Sequence, residues 1–338
     1  MQNKSKNADR YITINAVLST VAYRPELLAQ LKSSLAPAEF IHVRPDDEKA
    51  IAKALLHVDV AILAGDLDAR YLDAPNLKWV HCDHAGLNKS ALPEVFENGL
   101  IVTGSVGRAA EALAQHIFYF ALGLVYDAPK LEEMKQQKQW RGVVDFTGRR
   151  GLIGKTMGII GLGSTGLATA KLAKAFQMRV LGYRKSKTET PDCVDKLYCV
   201  DNGDDLDELI SESDLVVLCI RLTDETHHLI GAQELSKMQP SAFLINMARG
   251  GIVDEAALVR VLNEEAIAGA GLDVFEQEPL PPDAPIWSAK NVMITPHATA
   301  EVPDLHANSL AIIQENIQRY RTGRTMLHQL QPQDVYTK

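Results

Sequence analysis

The stretch Thr156-Met-Gly-Ile-Ile-Gly-Leu-Gly-Ser-Thr-Gly166 predicts a strand, a tight turn and the start of a helix. Residues 156–160 form an apolar run, and the amphipathic segment 167–176 follows the glycines. In this spacing Gly161 permits the turn, Gly163 lets a pyrophosphate approach the backbone, and Gly166 allows close packing of helix on strand. The free N–H groups of a helix N-terminus favour an anion there. The stretch therefore predicts a dinucleotide-binding turn.

Strands alternate with amphipathic segments on both sides of this turn. Strand–helix alternation at this spacing predicts a parallel sheet with helices on both faces. The first hundred residues show the same alternation in a smaller α/β unit. The predicted strands are residues 11–17, 40–43, 58–63, 78–81 and 101–103 in the first unit, and 156–160, 179–182, 214–219, 242–245, 268–274 and 292–295 in the second.

Residues 109–137, between the two units, predict one long helix. Its segment 117–126 is strongly apolar, but a membrane span needs about 20 such residues. We therefore expect a buried helix that packs on more than one surface and could contribute to a subunit interface.

Composition and charge exclude several classes of function. A length of 338 residues favours two domains. The net charge of −8 argues against general binding of nucleic acid or anionic membranes, which relies on clustered cations. The four cysteines are scattered, without a Cys-x-x-Cys pair, and the first ten residues lack the apolar stretch of a signal peptide. We therefore expect free thiols and a cytoplasmic location.

The residues after the second strand of the glycine-turn unit indicate which cofactor binds. An NAD site usually has an acidic residue about 20 positions after the first glycine, where it holds the ribose 2′-hydroxyl. Here Arg184, Lys185 and Ser186 occupy that region, and two cations suit the 2′-phosphate of NADP. The sequence therefore predicts a preference for NADP(H) over NAD(H). The alternative is a solvated basic turn with NAD(H) bound less selectively.

Three later strands lead into chemically reactive side chains. Arg249 follows one strand, Glu278 closes the acidic segment after the next, and His297 follows the last. The carboxyl ends of parallel strands lie at the sheet edge where ligands bind, and the planar guanidinium of Arg249 suits a substrate carboxylate. Each residue alone also fits a structural role, such as a surface ion pair, a solvated acidic loop or a hydrogen-bonded histidine.

Together with the glycine turn, these stretches resemble the D-isomer-specific 2-hydroxyacid dehydrogenases. The resemblance implies a Rossmann-type doubly wound parallel-sheet domain inserted into a flavodoxin-like α/β substrate domain. We expect the substrate domain at residues 1–105 and 299–338 and the NAD(P)-binding domain at residues 106–298. The resemblance covers about residues 78–300, and the family's blocks occur in order: the glycine turn, Leu222-Thr-Asp-Glu-Thr226, Ile245-Asn-Met-Ala-Arg249-Gly, Leu272-Asp-Val-Phe-Glu-Gln-Glu278-Pro and Thr295-Pro-His297. It also implies a homodimer.

The resemblance implies a role for each reactive residue in reducing a small 2-oxo acid to the D-2-hydroxy acid. His297 would be the general acid and base, with Glu278 as its partner. Arg249 would bind the substrate carboxylate and carbonyl oxygen, together with the backbone of the Ala85-Gly86 loop, and Asp273 would hold the nicotinamide carboxamide. The implied cofactor-binding set is Gly161, Gly163, Ser164, Thr165, Gly166, Arg184, Lys185, Ile220, Met247, Ala248, Arg249, Asp273, His297 and Ala298.

Departures from the family's usual sequence leave the exact substrate open, although an NADP preference is most like the glyoxylate/hydroxypyruvate reductases. All three reactive side chains are kept. The departures are Arg221 in place of a common proline, Gln115 in place of an acid, Ser164-Thr165 in place of Arg-Ile, and the additional His84 beside the Ala85-Gly86 loop.

Other interpretations are open at this point. The segment His81-Cys-Asp-His84 is rich in metal ligands, but neighbouring strand residues face opposite ways, so we expect no metal. For His116 and the pair His227-His228, packing or surface hydrogen bonding is the better interpretation. A nucleotide sensor like the carboxy-terminal-binding corepressors would share the fold and the reactive residues. A formate dehydrogenase of the same superfamily would pair its histidine with glutamine, and Glu278 argues against that alternative.

Overall fold

Two compact units make up the protein. The computed structural model describes residues 11–140, 151–299 and 302–338. The first unit consists of the residues up to Arg108 together with Pro303–Lys338. The second unit runs from Ala109 to Val302. The second unit is therefore inserted into the sequence of the first. The expected boundaries, after residues 105 and 298, lie a few residues before these divisions.

The first unit contains a five-stranded, fully parallel sheet. Its strands are β1 (Ala16–Ser19), β2 (Glu39–His42), β3 (Val60–Leu63), β4 (Trp79–Cys82) and β5 (Ile101–Gly104). The spatial order β2-β1-β3-β4-β5 is the flavodoxin-like order. Strands β1, β3 and β4 are buried along their whole length, as parallel strands covered on both faces require.

Helices cover both faces of this sheet. One face packs against α1 (Pro25–Leu35) and the C-terminal helix (Leu305–Arg321), where fully buried Trp79 stacks on Tyr320 with ring centroids 5.3 Å apart. The helices on the other face are α2 (Glu48–Leu55), α3 (Ala69–Leu72) and α4 (Pro93–Glu97). Successive strand residues such as Val17 and Leu18 enter opposite cores, because side chains alternate across a strand.

The first predicted strand, residues 11–17, is wrong in position. The strand begins only at Ala16, because the residues before it hydrogen-bond elsewhere. The Ile12 N–H donates to the Arg321 carbonyl at 2.7 Å, and the Asn15 N–H donates to the Asp59 carboxylate at 3.0 Å. These tertiary hydrogen bonds take the place of a strand ladder.

The second unit contains a seven-stranded, fully parallel sheet. Its strands are β6 (Thr156–Ile160), β7 (Arg179–Arg184), β8 (Lys196–Cys199), β9 (Leu215–Leu218), β10 (Phe243–Asn246), β11 (Gly269–Leu272) and β12 (Val292–Ile294). The order β12-β11-β10-β9-β6-β7-β8 reverses at β6, where the glycine turn lies. In open α/β sheets this reversal point is the ligand-binding crevice. The sequence does not predict β8, which is a four-residue edge strand beginning with an exposed lysine.

The second unit begins with a helix, and further helices follow along the chain. They are α5 (Ala110–Val125), α6 (Ala128–Gln136), α7 (Ser164–Ala175), α8 (Asp207–Glu212), α9 (Ala232–Lys237) and α10 (Glu255–Asn263), so that the C-terminal helix of the first unit is α11. Helix α5 packs on the sheet, and Phe120 contacts the backbone at Gly271, where an added Cβ would lie 2.6 Å from Phe120 Cγ. In the described ranges, no helix has both the length and the apolar character needed to cross a membrane.

The single helix predicted over residues 109–137 is wrong, because the chain breaks it at Asp127. This residue has φ 53°, in the left-handed region, and its carboxylate accepts a hydrogen bond from the Lys130 N–H at 3.3 Å. Pro129 lies in the first turn of α6, where its missing N–H has no cost. The Asp-Ala-Pro sequence thus ends one helix and begins another.

Candidate active site

The glycine turn in the second unit has the shape that its spacing predicts. Gly161 has φ +100°, and an added Cβ there would lie 2.5 Å from the Cys219 carbonyl oxygen. An added Cβ at Gly166 would lie 2.0 Å from the Gly161 carbonyl oxygen, so both positions need glycine. An added Cβ at Gly163 would have no neighbouring atom within 4 Å. The N-terminus of α7 therefore presents open backbone, which fits a pyrophosphate.

The other residues expected to contact a cofactor lie at the ends of neighbouring strands. Ser164 and Thr165 begin α7, and Ile220 follows β9 directly beside the Gly161 turn. Met247 and Ala248 follow β10, and Ala298 is exposed after β12. The strand order places β9 and β10 on the side of β6 opposite β7.

Arg184 and Lys185 have different surroundings. Arg184 is the last residue of β7 and is half-buried, and its Nε is buried without a hydrogen-bond partner among the described residues. Lys185 is exposed, and its Nζ lies 2.6 Å from Glu225 Oε2. An unsatisfied buried N–H of a guanidinium is costly. Arg184 therefore fits a bound 2′-phosphate, whereas Lys185 already has an anionic partner.

Arg249 lies in a turn that hydrogen bonds hold firmly after β10. Asn246 accepts from the Ala248 N–H at 3.0 Å and donates to the Arg249 carbonyl at 2.9 Å. The guanidinium of Arg249 donates to the Ala248 carbonyl at 2.7 Å. An added Cβ at Gly250 would lie 1.8 Å from the Phe275 carbonyl carbon, so this turn packs directly against the segment that leads to Glu278.

Glu278 and His297 meet after the neighbouring strands β11 and β12, of which β12 is the edge strand. His297 Nδ1 lies 2.7 Å from Glu278 Oε2, and Glu278 Oε1 accepts a hydrogen bond from the Phe275 N–H at 2.9 Å. His297 has φ 51°, and its side chain is 43% exposed. One ring nitrogen is thus fixed by a carboxylate while the imidazole stays accessible. Such an arrangement can transfer a proton to a ligand.

Asp273, directly after β11, is 2% exposed and is held on both carboxylate oxygens. Thr295 Oγ1 donates to Oδ1 at 2.5 Å, and Thr299 Oγ1 lies 2.8 Å from Oδ2. Both hydroxyls also contact the imidazole of His116. Sequence reasoning missed these three neighbours of Asp273. Two features of the sequence could have indicated them: a polar side chain within an apolar helix, and the two threonines that flank His297.

The Ala85-Gly86 loop belongs to the first unit. It follows Asp83, which is 6% exposed and whose carboxylate accepts from Ser105 Oγ at 2.9 Å and lies 3.2 Å from Arg108 Nη1. Among the described residues, no acceptor takes the N–H of Ala85 or of Gly86. The loop thus starts from a fixed point and presents free backbone donors.

The residues that depart from the family's usual sequence make local contacts or lie exposed on helices. His84 Nε2 lies 3.4 Å from Asp66 Oδ1 within the first unit. Gln115 is exposed on α5, and the Arg221 carbonyl accepts from Thr226 Oγ1 at 2.7 Å. Ser164 and Thr165 lie in the first turn of α7.

The metal-ligand pattern at residues 81–84 does not converge on one point. His81 is fully buried between Thr103 and Ser105, and burial lowers its pKa to about 3. Burial raises the pKa of the Cys82 thiol to about 12. The part of the chain that the structure describes contains no group of three or more His, Cys, Asp or Glu residues able to hold a metal ion.

Comparison with known proteins agrees with this geometry. The family model described as "D-isomer specific 2-hydroxyacid dehydrogenase, NAD binding domain" matches residues 118–299. The glyoxylate reductase of Korarchaeum cryptofilum (strain OPF8) is 33% identical over 284 residues, covering 82% of this chain and 84% of that protein. The glyoxylate/hydroxypyruvate reductase B of Pectobacterium carotovorum subsp. carotovorum (strain PC1) is 34% identical over 273 residues, covering 80% and 84%.

A solved structure is similar over almost the whole chain. It is the NADPH-dependent glyoxylate/hydroxypyruvate reductase of Sinorhizobium meliloti in complex with NADP and malonate, which is 25% identical with a TM-score of 0.75. The alignment covers 96% of this chain and 99% of that one. The match confirms the predicted class of two parallel-sheet α/β domains. This chain belongs to the family of D-isomer-specific 2-hydroxyacid dehydrogenases.

Proposed function

We propose that this protein reduces a small 2-oxo acid of the size of glyoxylate or hydroxypyruvate to the D-2-hydroxy acid, with NADPH as the preferred reductant. The family and its named relatives support an oxidoreductase, and they favour it over a corepressor-like nucleotide sensor. The observation that carries the proposal is the 2.7 Å contact between His297 Nδ1 and Glu278, because it fixes an accessible imidazole in position for proton transfer.

The side chains of this protein bind the substrate and transfer the proton. When bound, a reduced nicotinamide supplies a hydride for the carbonyl carbon. Arg249 binds the carboxylate through its planar guanidinium and orients the carbonyl group. His297 holds a proton at Nε2 and donates it to the carbonyl oxygen, while the Nδ1–H donates to Glu278 and keeps the ring in one tautomer. In the oxidation direction, Nε2 accepts the hydroxyl proton of the 2-hydroxy acid.

Arg184 supports a preference for NADP(H). Its buried Nε has no hydrogen-bond partner among the described residues, and a 2′-phosphate would provide one. Lys185 adds positive charge at the same turn, although Glu225 partly neutralises it. NAD(H) lacks the phosphate, so it would leave this N–H unsatisfied.

The ratio of kcat/KM for NADPH to that for NADH tests this preference. A hydrogen bond to a charged group contributes about 1.5–3 kcal/mol, so Arg184→Asp should lower the ratio by roughly 10–150-fold. Arg179→Asp, at the start of the same strand, changes the net charge equally and serves as the control. An unchanged ratio in Arg184→Asp, or an equal fall in the control, would contradict the proposed contact between Arg184 and the 2′-phosphate.

For the substrate carboxylate, we propose a second binding element in the Ala85-Gly86 backbone. Its support is the pair of N–H groups without acceptors among the described residues and the fixed Asp83 that precedes them. Backbone N–H groups of this kind bind carboxylates well. The remaining proposed cofactor contacts are Gly161, Gly163, Ser164, Thr165, Gly166, Ile220, Met247, Ala248, Asp273 and Ala298.

A panel of 2-oxo acids tests the reaction directly. Glyoxylate, hydroxypyruvate, pyruvate and a bulkier branched acid are each supplied with NADPH, and cofactor oxidation is followed. We expect turnover, fastest with glyoxylate or hydroxypyruvate. Binding of NADPH without oxidation by any acid would instead favour the nucleotide sensor.

We also propose a homodimer in the cytoplasm. Exposed apolar side chains on and near α5 and α6 support a subunit interface; they are Tyr119, Tyr126, Leu131 and Trp140. All four cysteines are free, which suits a reducing compartment. Light scattering coupled to size-exclusion chromatography measures the mass, and a monomer would contradict the dimer.

A further inference from the structure

Four side chains of the second unit form a closed cycle, which we call the Asp273 network: His116, Asp273, Thr295 and Thr299. Asp273 Oδ1 lies 2.5 Å from Thr295 Oγ1, and Oδ2 lies 2.8 Å from Thr299 Oγ1. Thr295 Oγ1 lies 3.3 Å from His116 Nε2, and Thr299 Oγ1 contacts His116 Nδ1. The carboxylate and the imidazole are therefore joined twice, once through each hydroxyl.

This cycle needs one more proton than its groups ordinarily carry. Each hydroxyl brings one proton, a neutral imidazole brings one and an ionised carboxylate brings none. Three protons cannot fill four contacts, so one contact lacks a proton when His116 is neutral. One additional proton on the imidazole completes the cycle, because both ring nitrogens then donate to the threonines and both threonines donate to Asp273.

The imidazole of His81, which is fully buried in the first unit, gives the opposite count. His81 Nδ1 lies 2.9 Å from Thr103 Oγ1, and Nε2 lies 3.0 Å from Ser105 Oγ. Trp79 Nε1 donates to Thr103 at 2.9 Å, and Ser105 donates to Asp83 at 2.9 Å. Here the indole, the two hydroxyls and a neutral imidazole supply four protons for four contacts. His81 is thus fully satisfied without an additional proton, unlike His116.

Opposing influences act on the charge of His116. Burial lowers the pKa of its imidazole, and the negative charge of Asp273 at the end of β11 opposes that shift. Among the titratable groups of the described residues, Asp273 is the one whose charge acts on His116. On its own helix, the ring centroids of Tyr119 and Phe120 lie 5.3 Å and 4.8 Å away. The count of hydrogen bonds therefore acts with Asp273 in favour of the protonated ring.

We propose that His116 is a positioning residue: it takes up one additional proton and, through Thr295 and Thr299, holds both carboxylate oxygens of Asp273. When this proton leaves, one threonine hydroxyl must turn toward the imidazole, and Asp273 loses one of its two hydroxyl donors. The inference rests on the proposed function only in that Asp273 is the proposed contact of the nicotinamide carboxamide. The nicotinamide end of the site then responds to a proton other than the one on His297.

Histidine Cε1–H NMR titration of the cofactor-free protein tests the proton directly. His116→Gln identifies the His116 signal. Thr299→Val leaves two contacts and two protons, so a neutral imidazole is satisfied and the midpoint of the His116 titration should fall. The expected fall is about one pH unit, the scale of one hydrogen bond to a charged group. Thr295→Val removes the other hydroxyl and gives the same count, so one folded variant of the two is sufficient.

The controls for this titration come from the first unit. Thr322→Val removes an exposed hydroxyl that bonds the Gln318 carbonyl, and it should leave the His116 midpoint unchanged. The His81 signal should be the same in every variant. An unchanged His116 midpoint in the folded Thr299→Val or Thr295→Val protein overturns the proposal.

Binding of two ligands tests the positioning of Asp273 and separates it from the proposed function. The dissociation constants of NADPH and of 2′-phospho-ADP-ribose, which lacks the nicotinamide, are measured below the wild-type midpoint of His116. Thr299→Val should weaken NADPH binding several-fold and leave the fragment unchanged. Equal weakening of both ligands overturns the positioning role. If the wild-type protein binds neither ligand, the proposed function fails, while the NMR titration still decides whether His116 takes up the proton.

Discussion

His297 Nδ1 lies 2.7 Å from Glu278 Oε2, and the other oxygen of that carboxylate accepts the Phe275 N–H at 2.9 Å. The carboxylate is thus fixed by the backbone, and it fixes the imidazole in turn. We predict that His297→Ala lowers kcat by roughly 100- to 10,000-fold, the usual contribution of a general acid. NADPH should still bind to this variant. Steady-state kinetics and fluorescence titration with NADPH measure the two effects separately.

His228 offers a matched control for this substitution. Its Nε2 lies 2.9 Å from Glu276 Oε1, and its side chain is 39% exposed, close to the 43% of His297. Both histidines also have φ 51°. His228→Ala therefore removes a histidine–glutamate pair of similar geometry and should leave kcat unchanged. Equal kinetic effects of the two substitutions would contradict the acid–base role of His297.

Arg249 should not be replaceable by lysine. Asn246 holds the backbone on both sides of Ala248, so Arg249→Lys should keep the turn while replacing a planar fork by a single charged amine. We predict a fall in kcat/KM for the 2-oxo acid of roughly 10–100-fold, the value of one or two charge-assisted hydrogen bonds. Arg179→Lys, which keeps an exposed pair with Glu212, is the control. An unchanged KM and kcat in Arg249→Lys would exclude the carboxylate contact.

Glu225 should weaken the binding of NADPH. Its carboxylate lies 2.6 Å from Lys185 Nζ, and both side chains are exposed. Glu225→Gln removes the competing anion, so NADPH should bind roughly two- to five-fold more tightly, the scale of an exposed ion pair. NADH binding should not change. Glu208→Gln removes a comparable exposed pair with Lys196 on β8 and serves as the control. Tighter binding of both cofactors, or of neither, would contradict the competition.

The fold could be predicted from the sequence because burial on both faces gives parallel strands continuous apolar runs. The predicted strand 156–160 coincides with β6, and both sheets are parallel as expected. The errors have physical causes. The position of β1 depends on hydrogen bonds from Ile12 and Asn15 to distant partners. The break between α5 and α6, by contrast, follows from Asp127 and Pro129, a local signal that could have been recognised.

The site could be predicted only where strand ends supply its residues. Glu278 and His297 follow adjacent strands of a parallel sheet, so their meeting follows from topology. The contacts of His116 with Thr295 and Thr299 instead join a helix at the start of the second unit to a loop at its end. No local pattern records such a pairing, and the same is true of the Lys185–Glu225 pair.

Acid should destabilise the first unit through His81. Burial lowers the pKa of this imidazole from 6.5 to about 3, whereas in the unfolded chain it titrates near its ordinary value. Between these values the unfolded chain binds a proton that the folded chain excludes. The contribution of His81 is therefore complete above pH 6.5, and it is lost as the pH falls, by up to about 1.4 kcal/mol per pH unit.

Urea denaturation between pH 7.5 and 4.5 measures this loss as a decrease in the free energy of unfolding. His81→Gln replaces the imidazole by an amide that does not titrate, so its free energy of unfolding should depend less steeply on pH. The substitution leaves a buried hydrogen-bond network incomplete, and the variant should therefore be less stable at pH 7.5. The comparison concerns the slope and not the absolute stability. Equal slopes in the two proteins would mean that His81 does not resist protonation in the folded state.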